Sequence, residues 1–463
     1  MTANPTKTRS DSDVIKQMCL YFSLFMIIVS IAACIYTGQT AYQMFTDWAR
    51  ILTSPAQLLC DYFSVGGLAG TFFNAGLLGL IFTLIMYSLK ANVTTGVLAS
   101  FILTLSHSFF GMNLVNVWPM FLGCAIVYGI RKDKLRNHLD VAMFSMNFAP
   151  FVSELLFRHE LFGSAQVPVA EAHLQIWGIP AAIIFGIVIG FIFPAILPSV
   201  KKLHNGLSLY NAGLASGFIG MMMFAFFYKT LGFGAPSTFT YENEIYIAHG
   251  NNYNLFCNVV LIILFASAVI IGCAKNKGFK GYGKLLKDSG HNANFIRDYG
   301  EGCTWMNFGF YGFLLLVYFD LVIFLMPKGV GFTGITAGFL LAALTFFASG
   351  QHPGTAWTIM AGYVILWAVI ALCALGTGRD IPWFLSTQGY LCTVALGTGL
   401  SPFAGVYGKK AGIFAGIVCA IFGCIVSTFH GGLILYNSGF GSGLASIIVF
   451  AVLDHYKAKK RTE

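Results

Sequence analysis

The sequence predicts an all-α polytopic membrane protein made of two inverted-topology repeats, with about 10–14 transmembrane segments and re-entrant hairpins among them. Three observations carry this. Of the 463 residues, 57% are hydrophobic, 16% aromatic and only 10% charged, where soluble domains carry roughly 25% charged residues. One stretch of the chain is written twice. Lys and Arg fall on opposite sides of the apolar runs in the two copies, which sets the copies upside down to each other.

The composition, with a mean hydropathy of +0.75, excludes a disordered chain, a coiled coil and a disulfide-rich scaffold. The net charge of +9 is spread over short loops, where membrane proteins carry charge for orientation, so no nucleic-acid surface is expected. The 11 cysteines lie mostly inside apolar runs and form no Cys-x-x-Cys pair. No metal or other cofactor is therefore expected. No Gly-rich phosphate loop, His-x-x-x-His zinc pair or nucleophile elbow occurs, and the chain is not read as an enzyme.

Residues 1–15 form a polar, basic tail, and 18–36 form an apolar run without a small-residue cleavage site. That run is read as a retained first transmembrane helix. Residues 204–217, HNGLSLYNAGLASG, share nine of fourteen positions with residues 430–443, HGGLILYNSGFGSG. TFFNAGLLG (71–79) pairs with TWMNFGFYG (304–312), and each follows an Asp-Tyr pair, at Asp61 and Asp298. GMNLVNVWPMFLG (111–123) pairs with GQHPGTAWTIMAG (350–362), and Ala149-Pro150-Phe151 with Ser401-Pro402-Phe403. The copies are 1–235 and 236–463.

Each copy opens with an isolated helix (17–37; 255–274) and a polar linker. A Gly-rich segment with an Asn follows (62–89; 299–326), then a broken apolar hairpin around a Trp (94–130; 332–375). A Pro-broken segment (139–157; 384–404) and two further helices complete the copy (174–199 and 204–228; 406–428 and 430–453). This gives five full spans plus a hairpin, or seven spans if the hairpin crosses. Lys7, Arg9 and Lys16 precede the first helix of copy one, whereas Lys275, Lys277, Lys280, Lys284 and Lys287 follow the first helix of copy two. Arg131 to Arg136 follow the first hairpin, and Lys457 to Arg461 end the chain. Positive residues stay in the cytoplasm, so both termini are expected there, in the plasma membrane, with 229–254 outside. An odd number of crossings per copy follows.

Four Asn-x-Gly sites recur, at Asn74, Asn211, Asn307 and Asn437. A membrane-buried amide costs several kcal/mol unless it is bonded, so these four face either a packing seam between helices or a solute path. The hairpins hold polar clusters: His107, Asn113, Asn116 and Trp118 in one, His352, Thr355 and Trp357 in the other. Non-helical backbone in a membrane is tolerated where it lines a cavity. The hairpin tips are gate candidates on one reading and plain external turns on the other. Pro150 and Pro402, the latter beside Ser401, break the next segment, as in discontinuous helices that hold a solute. Glu154 is a rare acid within an apolar run, with Arg158 four residues on as its candidate partner. His204 and His430 open the last helix of each copy, as caps or as proton-linked groups.

The segments from Gly206 to Leu214 and from Gly432 to Gly439, with the Pro-Phe pairs at 150–151 and 402–403 and Asn116-Val117-Trp118, resemble the urea transporter family. That resemblance implies two inverted copies around a central path. Phe148 and Leu400 stand where that family has its urea-site Thr, so a urea site is not carried over. Over its whole length the chain more closely resembles a duplicated family of bacterial membrane proteins of unknown function, which implies no substrate.

The expected function is a permease or channel for a small polar or monovalent anionic solute, held by the four asparagines and the hairpin tips where the copies meet. The shortage of charges within the apolar runs speaks against multivalent substrates. An intramembrane enzyme acting on lipid through His107, His352 or Glu154 is the alternative, as is a structural membrane subunit. A homo-oligomer is compatible with all three.

Overall fold

The structure is a computed structural model and describes residues 10–58, 60–158, 172–234, 243–423 and 425–462, with 457–462 described by their backbone. The first copy contains α1 (Asp11–Thr37), α2 (Ala41–Thr53), α3 (Tyr62–Ser88), α4 (Thr95–His107), α5 (Trp118–Ile130), α6 (Leu139–Ser145), α7 (Ala149–Phe157), α8 (Gly178–Leu203) and α9 (Asn211–Ala225). A short α10 (Glu244–Ala248) leads to the second copy: α11 (Asn254–Asn276), α12 (Tyr282–Leu285), α13 (Phe295–Leu325), α14 (Gly334–Ala342), α15 (Pro353–Gly376), α16 (Gln388–Gly397), α17 (Ser401–Tyr407), α18 (Lys409–Gly423) and α19 (Asn437–Thr462). From α1/α11 to α9/α19 the two series correspond element by element. The packing repeats too: α1 lies on α3 as α11 lies on α13, and α5 on α8 as α15 on α18.

Local chemistry sets the helix ends. Ser10, Thr94, Asn294 and Thr333 accept from backbone N–H groups three residues on, and Thr40 forms a capping box with Gln43. Gly67 (φ 63°) and Gly300 (φ 86°) interrupt α3 and α13 at equivalent positions. Only glycine adopts such a backbone without strain, and the first turn of each helix folds away from the rest. The Pro-broken segment is discontinuous in both copies: a 3-10 turn at Met146–Phe148 separates α6 from α7, and one at Thr398–Leu400 separates α16 from α17.

Among the described residues, ten helices or helix pairs are long and apolar enough to cross a membrane, five in each copy. Isoleucines at 28, 31 and 35 of α1, 183 and 184 of α8, and 262 and 263 of α11 point outward, as a lipid-facing surface requires. The α4–α5 pair is different. Each helix has 13 residues, about 20 Å, which is short of the roughly 30 Å hydrocarbon layer. Pro119 and Gly123 pack on Gly186 and Gly190 of α8, so α5 runs parallel to α8 and returns to the side from which α4 entered. The first hairpin is thus too short to cross twice, whereas in copy two α14 has 9 residues but α15 has 24 and is itself one of the ten helices long enough to cross.

The copies are inverted. The start of α3 meets the start of α14, just beyond the end of α13, where Asp61 accepts from the Gly334 N–H at 2.8 Å. The start of α11 meets the same end of α13 through Tyr253 N–H and Phe332 O at 3.0 Å. Gln388, opening α16, joins this group by accepting from Thr333 at 3.1 Å. At the opposite face, the end of α8 meets the loop before α13, where Lys201 Nζ lies 3.3 Å from Asn292 Oδ1. Helices that correspond in sequence therefore run in opposite directions. The pseudo-twofold axis passes where equivalent elements pack on each other, α4 on α14 and α9 on α19.

Candidate functional site

The two Asn-x-Gly helices α9 and α19 cross at their first turns. A Cβ on Gly213 would stand 2.5 Å from the Gly439 carbonyl carbon, so the crossing requires glycine at 213, while a Cβ on Gly439 would be tight, 3.2 Å from Gly213 Cα. The chain reaches it through extended segments, 205–210 from one face and 431–436 from the other. Each runs against the helix break of the opposite copy: Leu209 N–H donates to Gly399 O at 3.0 Å and Leu435 N–H to Asn147 O at 3.2 Å. The broken helices thus supply carbonyls to backbone that would otherwise be unsatisfied in a membrane.

A cavity of about 500 Å³ opens beside one of these segments. Its walls include Gln57, Gln388, Cys392, Ser427, Thr428 and Asn437. It extends from exposed Thr428 to Asn437, which is 4% exposed and lies two residues before the helix crossing. None of the described residues lining it is charged. Behind Asn437, the buried His430 ring Nε2 lies 2.9 Å from Asn437 Oδ1. Gln388 Oε1 accepts from Thr333 and Thr336 at 3.1 and 3.3 Å.

The other candidate residues are distributed as follows. Asn74 Nδ2 donates to Ser108 O and Met112 O, both at 2.9 Å, and Asn307 Nδ2 donates to Phe347 O and Gln351 O at 2.7 and 2.8 Å. These two amides hold the hairpin tips. Asn113 and Asn116 hold the first tip from within: Asn116 Oδ1 accepts from Asn113 N–H at 2.9 Å, and Asn116 Nδ2 donates to Gly111 O and Ser153 Oγ, each at 3.0 Å. His107 is fully buried, with Nδ1 2.7 Å from Leu103 O and Nε2 3.2 Å from Leu435 O, so it ties the first hairpin to the extended segment of copy two. His352 Nε2 lies 3.0 Å from Asp288 O and 3.3 Å from Thr355 Oγ1.

Trp118 packs on Phe82, and Trp357 is 38% exposed beneath Lys409. Neither lines the cavity. Glu154 and Arg158, both buried, lie 3.3 Å apart in and just after α7. Ser401 is buried at the start of α17 with no partner for its hydroxyl among the described residues. Asn211, the counterpart of Asn437, is half-buried at the start of α9.

A family model described as a protein of unknown function, DUF1576, matches residues 40–229 and again residues 274–455. The chain belongs to the DUF1576 family. No curated protein and no solved structure matches it, so the likeness to urea transporters rests on the sequence segments alone. The two matched stretches follow the duplication, with α2–α9 in the first and α12–α19 in the second apart from the last turns.

Sequence reasoning did not single out several residues that build the cavity of this DUF1576 protein. Gln57 and Leu58 lie in the loop before α3, Ser427 and Thr428 in a 3-10 turn, and Gln388 at a helix start. None of these places carries a periodic pattern. Asp61 was visible only as half of a repeated Asp-Tyr pair. In the fold it accepts from the N–H groups of Phe63 and Gly334 and from the Tyr246 hydroxyl, capping one helix in each copy. Burial pushes its carboxyl up to about 6, against the pull of those hydrogen bonds.

Proposed function

We propose that this protein carries a small polar solute, neutral or singly charged, across the plasma membrane, with both termini in the cytoplasm. The observation that supports this reading is the cavity running from one face to Asn437 at the central helix crossing, whose described walls are uncharged and mostly apolar, with a few amide and hydroxyl groups. Such a cavity, between inverted copies and beside discontinuous helices, is where secondary transporters bind their solutes. The lysine-rich loop 275–287 and the Arg131–Arg136 loop support a cytoplasmic position for the opposite face.

Carrier action is favoured over an open pore, because the matching segment of copy one is covered at that opposite face. His291 Nε2 lies 2.9 Å from Asn205 O, and Lys201 Nζ lies 3.3 Å from Asn292 Oδ1. Transport rather than chemistry is the reading, since the described cavity walls offer amides and hydroxyls but no paired acid and base.

The test is flux. The full chain is reconstituted in lipid vesicles and tested with a panel of small neutral, anionic and cationic solutes, comparing wild type with Asn437→Leu and Asn211→Leu. At least one solute should cross in a protein-dependent way, and Asn437→Leu should cut its flux at least about tenfold, the loss of one buried hydrogen bond to a polar solute. Flux of no solute, or flux unchanged in both variants, overturns the proposal.

A further inference from the structure

The connection between α11 and α13 carries a groove that transport through the central cavity does not use. Its floor is Phe310 of α13, with the Phe279 ring centred 6.1 Å away and the Tyr282 ring 5.3 Å away, and Leu286 and Pro353 complete the walls. The groove holds about 340 Å³, and its surface is almost wholly apolar. Phe279 is 60% exposed. The loop that presents it is held in place. Asn276 Nδ2 donates to Gly278 O and Lys280 O at 2.8 and 2.6 Å, and Tyr282 and Leu285 sit in a small apolar cluster of their own with Phe295, Cys303 and Met306. Basic residues follow the same loop: Lys280 comes directly after Phe279, Lys284 two residues after Tyr282, and Lys287 directly after Leu286. These three and Lys277 are exposed and form no ion pair with a described residue. The acids nearby are engaged elsewhere, Glu301 by Lys275 at 2.7 Å, Asp298 by Arg297 at 2.7 Å and Asp288 by the Tyr299 hydroxyl at 2.6 Å.

We propose that this groove binds an anionic phospholipid, one acyl chain lying along Phe279, Tyr282, Phe310 and Pro353 and the phosphate meeting Lys280 and Lys284. The site needs only a membrane-embedded chain and stands apart from the transport reading. Orientation in a membrane asks for lysines on one side, not for an apolar groove beside them. An open apolar groove at the end of a spanning helix favours hydrocarbon over water, and the lysines around it attract negative headgroups over about a Debye length. A zwitterionic lipid would bring no net charge to those lysines. The equivalent connection of copy one, 38–60, has Arg50 as its one basic residue, paired with Asp47 at 2.8 Å. The combination of groove and free lysines is therefore confined to copy two and to one face of the protein.

Phosphatidylglycerol and phosphatidylcholine with the same dioleoyl chains differ in net charge, so they are the discriminating probes. The full-length protein in a neutral detergent is titrated with each, and bound lipid is counted by native mass spectrometry. Phosphatidylglycerol should bind at least about fivefold tighter, the gain from one lysine at a membrane surface. Lys280→Gln with Lys284→Gln should weaken it at least about tenfold and leave phosphatidylcholine unchanged. Lys132→Gln with Lys134→Gln, which removes as much charge from another exposed loop, should change neither. Phe279→Ala should weaken both lipids several-fold, because hydrocarbon contact is lost. All the substituted side chains are exposed, so each variant is expected to fold. Four results overturn the proposal: equal binding of the two lipids, unchanged phosphatidylglycerol affinity in the Lys280 and Lys284 variant, an equal loss in the Lys132 and Lys134 variant, or unchanged affinity in Phe279→Ala. A dimer that Phe279→Ala dissolves would give the groove to a second copy of the chain and overturn it as well.

Discussion

Residues 204–217 and 430–443 have nearly the same sequence and opposite surroundings. Around 430–436 the neighbouring loop of copy one donates the Leu58 N–H to Gly432 O at 2.9 Å, and an open cavity lies beside this contact. Around 204–210 the matching loop of copy two is fastened down. His291 and Asn292 bridge to Asn205 and Lys201, His352 reaches Asp288 O at 3.0 Å, and a Cβ on Gly290 would stand 2.3 Å from Gly350 O. Two copies of one segment therefore occupy inequivalent states, decided by the loop that covers each. The copies also differ in charge. α7 and the residue after it carry the buried Glu154–Arg158 pair, whereas α17 has Val406 and Tyr407 at the matching place.

That contrast can be broken at four points. The largest effect is expected at the charge pair. Glu154→Gln takes the carboxylate from beside a buried guanidinium and should destabilise the protein by about 3–5 kcal/mol, while Val406→Ala at the partly exposed matching place in copy two should cost about 1 kcal/mol or less. Thermal unfolding in detergent measures both, and equal effects would erase the asymmetry. Next comes the crossing that the two segments share. Gly213→Val drives a side chain into the Gly439 backbone, an overpacking cost of about 1–3 kcal/mol, and should abolish flux even where the protein still folds.

The third point is the covered loop. His291→Ala with Asn292→Ala removes both bridges while leaving the Gly290–Gly350 packing. A cysteine placed at buried Ser208 should then react with a small thiol reagent about tenfold faster, the mark of a shift of about 1.4 kcal/mol toward an open state. An unchanged rate would mean that the glycine packing alone keeps this side shut.

The last point is a pH dependence at Asp61. Its folded carboxyl titrates near 6, above the ordinary value of about 3.9 in an unfolded chain. Between those values the folded state binds more protons than the unfolded one, so stability should fall as pH rises from about 4 to about 6 and level off above. Asp61→Asn should flatten that slope in unfolding midpoints measured across the window. A midpoint that rises through the same window in the wild type would contradict the assignment.

Much of this architecture could be read from residues alone. A nine-in-fourteen match between 204–217 and 430–443 is a repeat whatever the fold, and the lysines after α11 set against those before α1 imply inversion. Pro150 and Pro402 marked the broken segments, and the glycines at 67 and 300 sat in the repeated Gly-rich helices. The role of each polar group was not legible. Asn74, Asn113, Asn116 and Asn307 looked the same in sequence as Asn437, yet their amides are spent on hairpin-tip carbonyls and N–H groups. A sequence shows that an amide needs a partner, not whether the partner is backbone two helices away or a solute. Gln57 and Ser427 carried no signal, because loop residues have no periodicity to depart from.

By itself the chain determined that it is duplicated, inverted, helical and membrane-embedded, because hydropathy, repeat spacing and the side on which lysines fall are local properties of the residues. Only the tertiary structure decided which of two equal segments faces a cavity and which asparagine oxygen is already occupied. Those depend on positions 57, 388 and 437 meeting at one face and 205 and 291 at the other, distant residues whose approach no local pattern encodes.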